Sequence, residues 1–331
     1  MTEYDVITLG ETMLRLTPPG FRRIEQATGF DIEVGGSESN TAIGLARLGL
    51  RVAWLSRLTD NPLGRLIAST IARHGVDTAH VVWTRADRVG LYFLEEGKAP
   101  RGSRVVYDRA HSAMSRMTAA KLPAELFQAH GARLLHLTGI TPALSGDAAA
   151  TAQRALELGR AAGWTISFDL NYRGQLWSPA AAQAGCDAFA LAADLLFAPL
   201  DDIRLLYALE PDASAEAALA ALAARYPQTT VVLTMGDQGV IGCAPGGTAQ
   251  RQPAFLAEPV GRIGGGDAFV AGFLYGYLTA QTTEERLQRS LQWGAAVAAL
   301  KYSIPGDAPL VDRSEVEALL AQGTGKMALQ R

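Results

Sequence analysis

The sequence predicts an α/β fold in which a mostly parallel β-sheet is covered by helices. Short apolar runs recur along the chain, and most of them lack the polar alternation of a half-exposed strand. Stretches with helical periodicity and many alanines separate these runs, and such an alternation of strands and helices is typical of a parallel sheet. The last part of the chain, from residue 267 onward, is predicted to be helical with no intervening strand.

The predicted elements follow one another in a regular order. Strands buried on both faces are expected at residues 6–9, 52–55, 134–137, 164–168, 195–198 and 231–234. Helices are expected around residues 41–48, 62–74, 147–162, 179–192 and 214–225, and then at 268–279, 283–302 and 313–322.

Two segments interrupt this alternation, roughly residues 11–34 and 88–109. They are richer in β-branched, aromatic and Arg residues and contain turn signals such as Pro18-Pro19-Gly20. We interpret them as a small β lid that projects from the sheet. Because the chain has no internal repeat and no low-complexity linker, residues 1–331 are expected to form a single domain, with a frayed end at 323–331.

Composition favours a small-molecule partner in the cytoplasm. The 331 residues are 48% hydrophobic and carry a formal net charge of -3, so no general attraction to nucleic acid or to anionic membranes is expected. The first residues do not match a signal peptide, and no apolar run is long enough to span a bilayer. Cys186 and Cys243 lie far apart in the sequence and are expected to be inert thiols.

The segment Gly264-Gly265-Gly266-Asp267 predicts an anion-binding turn with a catalytic base. Glycines let backbone N–H groups converge on an anion, and the start of the following helix adds a partial positive charge. A carboxylate beside that anion is poorly placed to bind phosphate, but it is well placed to take a proton from an attacking hydroxyl. The alternative is that Asp267 merely caps the helix.

A second glycine pair, Gly35-Gly36, precedes a helix that Gly49 is expected to end. Within it, Asn40 either caps the helix or turns its amide toward the hydroxyls of a bound polyol; from this segment alone the two readings are equal. A Walker-type phosphate loop is excluded because Gly325-Lys326 is followed by Met327. The five histidines form no close ligand pair, which argues against a structural metal site.

Together, Gly35-Gly36-x3-Asn40-x-Ala42 and Gly264-Gly265-Gly266-Asp267-x-Phe269 resemble the two signatures of the ribokinase family of carbohydrate kinases, also called the phosphofructokinase-B family. The resemblance runs from about Gly10 to Asp307. It implies a ribokinase-like three-layer sandwich with a β lid, the cofactors ATP and Mg²⁺, and transfer of a phosphoryl group to a sugar hydroxyl. Such a transfer needs mainly positioning and charge neutralisation, which a glycine turn, a metal ion and one base can supply.

Within that family the chain is most similar to 2-keto-3-deoxygluconate kinases. The segments that carry this similarity include Gly90-Leu91-Tyr92, Tyr107-Asp108-Arg109 and Asp169-Leu170-Asn171-Tyr172-Arg173. The resemblance implies 2-keto-3-deoxygluconate as the acceptor and its 6-phosphate as the product. It places around the acid sugar, besides Gly35 and Asn40, the residues Gly36, Tyr92, Tyr107, Arg109, Ile140, Arg173, Asp267 and Asp307. Each lid aromatic could alternatively serve only packing, and each Arg could lie on a solvated surface.

The segment from Thr234 to Gly239 resembles the nucleotide loop of the family, where small residues let the backbone approach the ATP phosphates. On this basis Thr234, Gly236, Gly239, Gly264 and Gly266 are expected to contact ATP.

Two departures from the family pattern change what the resemblance implies. Gly261-Arg262 stands where many members have Asp-Thr, which removes a carboxylate often tied to a monovalent cation and argues against a potassium requirement. Pro199 stands where an Asn is common, and Asp202 is a possible substitute for the usual metal-site Glu. Mg²⁺ is therefore expected to bind chiefly through ATP and water.

Two other functions remain open. One is a kinase of the same family that acts on a neutral sugar such as fructose or ribose. The other is a sugar-binding protein that keeps the fold without catalysis, since fold alone does not fix function. A second subunit could cover the apolar face of the lid, so a homodimer or a higher homo-oligomer formed through the lid is expected.

Overall fold

The computed structural model describes residues 2–261 and 263–323, and it confirms the α/β class. Arg262 of the predicted anion turn and the predicted frayed end beyond residue 323 lie outside these residues. The strands, numbered along the chain, are β1 (Val6–Leu9), β2 (Met13–Thr17), β3 (Asp31–Gly35), β4 (Val52–Leu55), β5 (Arg57–Thr59), β6 (Val76–Asp77), β7 (Val82–Thr84), β8 (Leu91–Glu95), β9 (Arg104–Asp108), β10 (Leu134–Thr138), β11 (Thr165–Asp169), β12 (Leu195–Pro199), β13 (Thr230–Thr234), β14 (Val240–Cys243) and β15 (Gln250–Gln252). The α-helices are α1 (Ser37–Arg47), α2 (Pro62–Ala72), α3 (Ile140–Leu144), α4 (Gly146–Ala161), α5 (Pro179–Ala192), α6 (Leu200–Leu206), α7 (Ala215–Arg225), α8 (Gly265–Thr279), α9 (Thr283–Tyr302) and α10 (Arg313–Gln322).

The central sheet has nine strands in the order β15-β14-β13-β12-β11-β10-β1-β4-β6. Neighbouring strands from β13 to β6 pair in parallel, and β14 and β15 add an antiparallel edge. All six predicted strands belong to this sheet. The sequence did not reveal β6, β14 or β15, because β6 has two residues, β14 contains a glycine and β15 is polar throughout.

Helices cover both faces of the sheet, which confirms the three-layer sandwich. Alternate residues of one strand enter opposite cores: Ile7 packs in a cluster with residues of α4, α5, α6 and α7. Val6 packs in a second cluster with residues of α1, α2, α8, α9 and α10. Strands buried on both faces therefore explain why the apolar runs lack a polar alternation.

The two segments predicted to form a lid supply a separate four-stranded sheet, in the order β3-β2-β8-β9. Its central pair, β2 and β8, is parallel, and the outer pairs are antiparallel. Arg15 and Tyr92 are direct register partners on the central pair, so their side chains lie on the same face of the lid. A further small sheet, β5 with β7, was not predicted.

The two helices that matter most for the site begin at glycines. Helix α1 has Gly36 as its N-cap and is followed by Gly49 at φ +100°, which confirms the predicted stop. Helix α8 has Gly264 as its N-cap, at φ +78° in the left-handed region that favours glycine. Neither helix start has a capping side chain, so no N-cap side chain accepts a hydrogen bond from the N–H groups of its first turn.

Candidate active site

A cavity of about 370 Å³ lies at the carboxyl ends of the parallel strands, where ligands of open α/β sheets usually bind. The sheet contributes Asp169 at the end of β11 and Thr234 at the end of β13. The lid contributes Met13, Tyr92 and Tyr107. The cavity thus lies between the central sheet and the lid, which the sequence predicted as separate elements.

Asp267 lies buried at one end of this cavity and does not cap helix α8. Its side chain is held by two hydrogen bonds from helix α1: the Ser37 hydroxyl donates to Oδ1 at 2.7 Å, and the Asn40 amide donates to Oδ2 at 2.7 Å. The capping alternatives for Asp267 and Asn40 are therefore both wrong, because the N-caps are Gly264 and Gly36. The oxygen of the Asn40 side-chain amide, Oδ1, is buried and has no hydrogen-bond partner among the described residues.

A polar network continues from Asp267 to the end of β11. The amide of Asn171 donates to the Ser37 hydroxyl and to Asp169 Oδ2, both at 2.9 Å. Burial, with the nearby charge of Asp267, raises the pKa of Asp169 to about 7. Asn171 has a left-handed φ of +42°, a conformation that Asn tolerates better than most residues.

A second buried carboxylate, Glu38, lies in the first turn of α1. The hydroxyls of Thr138 and Thr141 both donate to its Oε1, at 2.7 and 2.8 Å. Complete burial raises the pKa of Glu38 to about 7, although these two bonds act in the opposite direction. Gly10 is required beside it, because a Cβ on Gly10 would lie 2.1 Å from the Glu38 Cδ.

The two arginines expected to meet a substrate carboxylate have different surroundings. Arg109 is buried and forms a two-pronged ion pair with Glu11, through Nε at 2.8 Å and through Nη2. Arg173 donates to the backbone oxygen of Tyr172, and among the described residues it has no ion pair within 4.0 Å. Of the two arginines that line the cavity, Arg173 is therefore the one without a close described counter-ion, although its charge also acts on Asp169 and Asp202.

Asp202, the carboxylate suggested for Mg²⁺, is not among the described residues that line the cavity or its two neighbouring pockets. Burial raises its pKa to about 6, while the charge of Arg173 and the backbone N–H of Tyr172 act in the opposite direction. Its role in metal binding stays a prediction. No group of three potential metal ligands of the His, Cys, Asp or Glu type occurs within residues 2–261 and 263–323.

Asp307 lines the cavity and is held by the lid. Arg15 of β2 forms an ion pair with its Oδ1, and the hydroxyl of Tyr92 donates to its Oδ2. Burial raises the pKa of Asp307, while Arg15 and Tyr92 lower it. Gly35 is needed here because a Cβ would lie 2.2 Å from Asp307 Oδ2.

A second pocket of about 120 Å³ adjoins the cavity behind the anion turn. Its walls are mostly small and apolar, with Ala295, Ala298 and Ala299 of α9 on one side and Val240 and Phe255 on the other. The loop after β13 contributes Gly236 and Gly239, whose φ angles of +60° and +88° favour glycine. Thr234, Gly265 and Gly266 line both the cavity and this pocket, so the two spaces are adjacent.

The structure brings together all the predicted site residues except Asp202. The first cavity is lined by Gly35, Gly36, Asn40, Tyr92, Tyr107, Arg109, Ile140, Arg173, Thr234, Gly264, Gly265, Gly266, Asp267 and Asp307, and the second pocket adds Gly236 and Gly239. The individual roles of these residues stay predictions.

Sequence reasoning missed the residues that hold the others in place: Glu11, Arg15, Ser37, Glu38 and Asn171. The sequence held a signal for three of them. Glu11 and Asn171 lie two residues after buried strands, at the strand ends where ligands of parallel sheets bind, and Glu38 is a charged residue in the first turn of a helix that follows two glycines.

Comparison with known proteins gives consistent matches over nearly the whole chain. The family model described as pfkB family carbohydrate kinase matches residues 4–312. The 2-dehydro-3-deoxygalactonokinase of Haloferax volcanii is 40% identical over 319 residues, which are 96% of this chain and 97% of that protein. The 2-dehydro-3-deoxygluconokinase of Bacillus subtilis is 30% identical over 305 residues, 92% of this chain and 91% of that protein.

Among solved structures, the crystal structure of 2-dehydro-3-deoxygluconokinase from Thermotoga maritima superposes with a TM-score of 0.86. The two chains are 33% identical, and the match covers 96% of this chain and 100% of the other. Within the described residues, no helix is long and apolar enough to cross a bilayer.

Proposed function

The chain belongs to the pfkB family of carbohydrate kinases, and from this premise we propose that its acceptor is a 2-keto-3-deoxy sugar acid. The first candidate is 2-keto-3-deoxygluconate, also named 2-dehydro-3-deoxygluconate, which would be phosphorylated on its terminal hydroxyl to give the 6-phosphate. ATP is the phosphoryl donor. Because ATP is an intracellular substrate, we place the protein in the cytoplasm.

The observation that carries this proposal is the available charge of Arg173. Its guanidinium lies in the cavity wall, with no ion pair within 4.0 Å among the described residues. A planar guanidinium suits a carboxylate better than a neutral hydroxyl, because it can donate two parallel hydrogen bonds. Arg109, in contrast, already has Glu11 as a counter-ion and would serve to orient the lid wall.

The neutral part of an acid sugar also matches this cavity. The buried amide oxygens of Asn40 and Asn171 accept no hydrogen bond from the described residues. Because a buried acceptor without a donor is unfavourable, sugar hydroxyls are suitable partners for both. This supports the sequence-based assignment of Asn40 to sugar binding.

For the chemical step we propose Asp267 as the base. The hydrogen bonds from Ser37 and Asn40 fix both of its oxygens, so the carboxylate can receive the proton of the attacking hydroxyl with little rearrangement. The N–H groups in the first turn of α8, at Gly264, Gly265 and Gly266, would stabilise the transferred phosphoryl group. The second pocket, with its small apolar walls, would hold the adenine of ATP.

Mg²⁺ fits this site as an ion brought in by ATP. The described residues offer no cluster of three ligands, and Mg²⁺ commonly binds through phosphates, water and one or two carboxylates. When bound, the ion would neutralise charge on the phosphates. Asp202 stays our proposal for a protein carboxylate near the ion, and no step depends on it.

The galacto epimer of the same acid is a second candidate, because a relative named for that activity is 40% identical to the chain. Both epimers carry the carboxylate that Arg173 would bind. Neutral sugars such as fructose and ribose lack it. A protein that binds acid sugars without transferring phosphate would need neither Asp267 nor the nucleotide pocket.

The test is a comparison of kcat/KM for both keto acids, fructose and ribose, with wild type, Arg173→Met and the surface control Arg154→Met. Charge-assisted hydrogen bonds contribute about 1.5–3 kcal/mol each, so Arg173→Met should lower kcat/KM for the keto acids roughly 10- to 100-fold. The variant should change the neutral sugars little. If the wild type prefers fructose or ribose, the assignment to the kinase family stands but the proposal of an acid acceptor is wrong. Binding of the sugar acid without any turnover would favour the non-catalytic alternative.

We also propose that the lid forms a homodimer. One row of side chains crosses its four strands by direct pairing: Ile32, Leu16, Phe93 and Val106. Ile32 on the edge strand β3 is 55% exposed and Val106 on the edge strand β9 is 39% exposed, so this apolar row is open to solvent at both sides of the lid. Light scattering should give twice the chain mass for wild type and the monomer mass for Ile32→Arg; a monomeric wild type would reject the dimer.

A further inference from the structure

A lysine side chain is completely buried close to the anion turn. Lys301 lies in the last turn of α9 and has 0% exposure. Its Nζ donates to the backbone oxygen of Ile304 at 3.0 Å. Burial lowers the pKa of Lys301, whereas the charges of Asp307 and Asp267 raise it. A buried ammonium is costly unless it compensates nearby negative charge.

The loop that Lys301 holds forms the back of the phosphate site. Residues 303–307 follow α9 and end at Asp307, whose backbone oxygen occupies the space where Gly264 would carry a Cβ, at 1.9 Å. The ring of Tyr302 packs in the same way against Gly265, at 2.6 Å from its ideal Cβ position. The backbone N–H of Val260, just before the anion turn, donates to the backbone oxygen of Tyr302 at 2.8 Å, so this segment is also attached to the end of α9. A shift of this loop would therefore move the anion turn.

Several negative charges lie near the Lys301 ammonium. Asp267 and Asp307 act on the ammonium, Arg15 is the neighbouring cation, and the carboxyl end of α9 adds the negative end of a helix dipole. A single positive charge at this point balances part of that field.

The described residues of the anion turn before Asp267, at 261 and 263–266, offer no side-chain carboxylate to a bound monovalent cation. Gly261 has no side-chain carboxylate to coordinate one. Lys301 provides one positive charge and a contact with a backbone carbonyl, which are the two contributions that a bound potassium ion would make. We propose that Lys301 is an internal cation, a positioning residue that fixes the anion turn for phosphoryl transfer and makes the enzyme independent of K⁺. This requires that the protein transfers phosphate from ATP, and it does not depend on which sugar is the acceptor.

The first experiment measures kcat and KM for ATP of the wild type in potassium, sodium, ammonium and choline chloride at matched ionic strength, with the best acceptor found. We expect the same values in all four salts. A wild type that needs potassium or ammonium would overturn the proposal, because a separate cation site would then exist.

The second experiment compares Lys301→Ala with the control Ser290→Ala, a buried position on the same helix that lines neither the cavity nor the second pocket and whose hydroxyl donates to the backbone oxygen of Arg286. A displacement of about 1 Å at a reacting group can lower the rate on the order of 10²-fold, so we expect a loss of that size in kcat for Lys301→Ala and near wild-type kcat for the control. Ammonium or potassium should restore most of the loss, and choline, which is too large, should not. A purely structural lysine would give no such cation-specific rescue, so a folded Lys301→Ala protein that stays inactive in ammonium would overturn the proposal.

If Lys301→Ala does not fold, Lys301→Met and Lys301→Arg decide the question. Met fills the space without charge and should lose kcat in every salt, while Arg keeps the charge and should retain more activity than Met. A Lys301→Met enzyme with wild-type kcat would show that the charge is not needed. A wrong acceptor assignment would instead change the sugar ranking of the wild type and leave its salt independence intact.

Discussion

The sugar side and the nucleotide side of the site consist of different kinds of chemical group. The sugar side consists of buried ionisable side chains, each held by partners from distant parts of the chain, such as Arg109 with Glu11 and Asp307 with Arg15. The nucleotide side consists of backbone and small residues, with glycines at Gly236 and Gly239 and alanines along α9. Asp267 stands where the two sides meet, lining the cavity beside the anion turn.

This difference predicts two kinds of sensitivity to mutation. On the sugar side, a lost partner leaves a buried charge without compensation, so substitutions should affect stability and substrate choice together. On the nucleotide side the backbone makes the contacts, so substitutions should act by steric obstruction and affect ATP more than the sugar. Four experiments test this contrast.

The largest effect is expected at the junction, for Asp267→Asn. The amide keeps the shape of the carboxylate but cannot take a proton, so kcat should fall on the order of 10²–10⁴-fold. The dissociation constants of ATP and sugar, measured by calorimetry, should stay close to wild type. Retention of wild-type kcat would mean that Asp267 is not the base.

On the sugar side, Arg109→Met should destabilise the fold by roughly 3–5 kcal/mol, because it leaves Glu11 buried without its counter-ion. Arg173→Met should lower the unfolding free energy less than Arg109→Met does, since Arg173 has no described ion-pair partner within 4.0 Å and acts on Asp169 and Asp202 only at longer range. The double variant Arg109→Met/Glu11→Gln should recover much of the lost stability. Equal denaturation midpoints for the two single variants would remove the distinction between the paired and the available arginine.

Glu38 gives a pH-dependent test of the same side. Its pKa is about 7 in the folded protein and 4.5 ordinarily, so the folded state holds a proton between these values that the unfolded state releases. Stability from this group is therefore complete below pH 4.5 and is lost as the pH rises through 7, by an amount on the order of 3 kcal/mol.

Glu38→Gln should flatten the fall in unfolding free energy between pH 5 and pH 8, measured by urea denaturation. Some slope should remain because Asp169 has a pKa raised in the same window. The exposed Glu125→Gln is the control and should retain the wild-type slope. An unchanged slope in Glu38→Gln would show that Glu38 is ionised in the folded protein.

On the nucleotide side, Gly266→Ala separates packing from ligand approach. A Cβ at Gly266 meets no protein atom within 4 Å, so the melting temperature should not fall. If the phosphates lie against this turn, the methyl group should raise KM for ATP by about tenfold, the equivalent of about 1.4 kcal/mol, with little change in KM for the sugar. Gly265→Ala is the contrast, since its Cβ would lie 2.6 Å from the ring of Tyr302 and should lower stability as well.

The sequence by itself determined the features that depend on local chemistry. Apolar runs identified six strands of the central sheet, alanine-rich periodic stretches identified the main helices, and glycines before Asp267 and Asn40 located the two helix starts of the site. Each of these signals lies within a few neighbouring residues, because helix periodicity and glycine backbone freedom are local properties.

Only the tertiary structure decided which charged group meets which partner. Arg109 and Glu11 are 98 residues apart, Asn40 and Asp267 are 227 apart, and Arg15 and Asp307 are 292 apart. Arg109 and Arg173 are both candidate carboxylate ligands in the sequence, yet the fold gives an ion-pair partner to the first and places the second against a backbone oxygen. Charges interact through space, and their energy depends on burial and separation in the folded chain, neither of which a residue pattern contains.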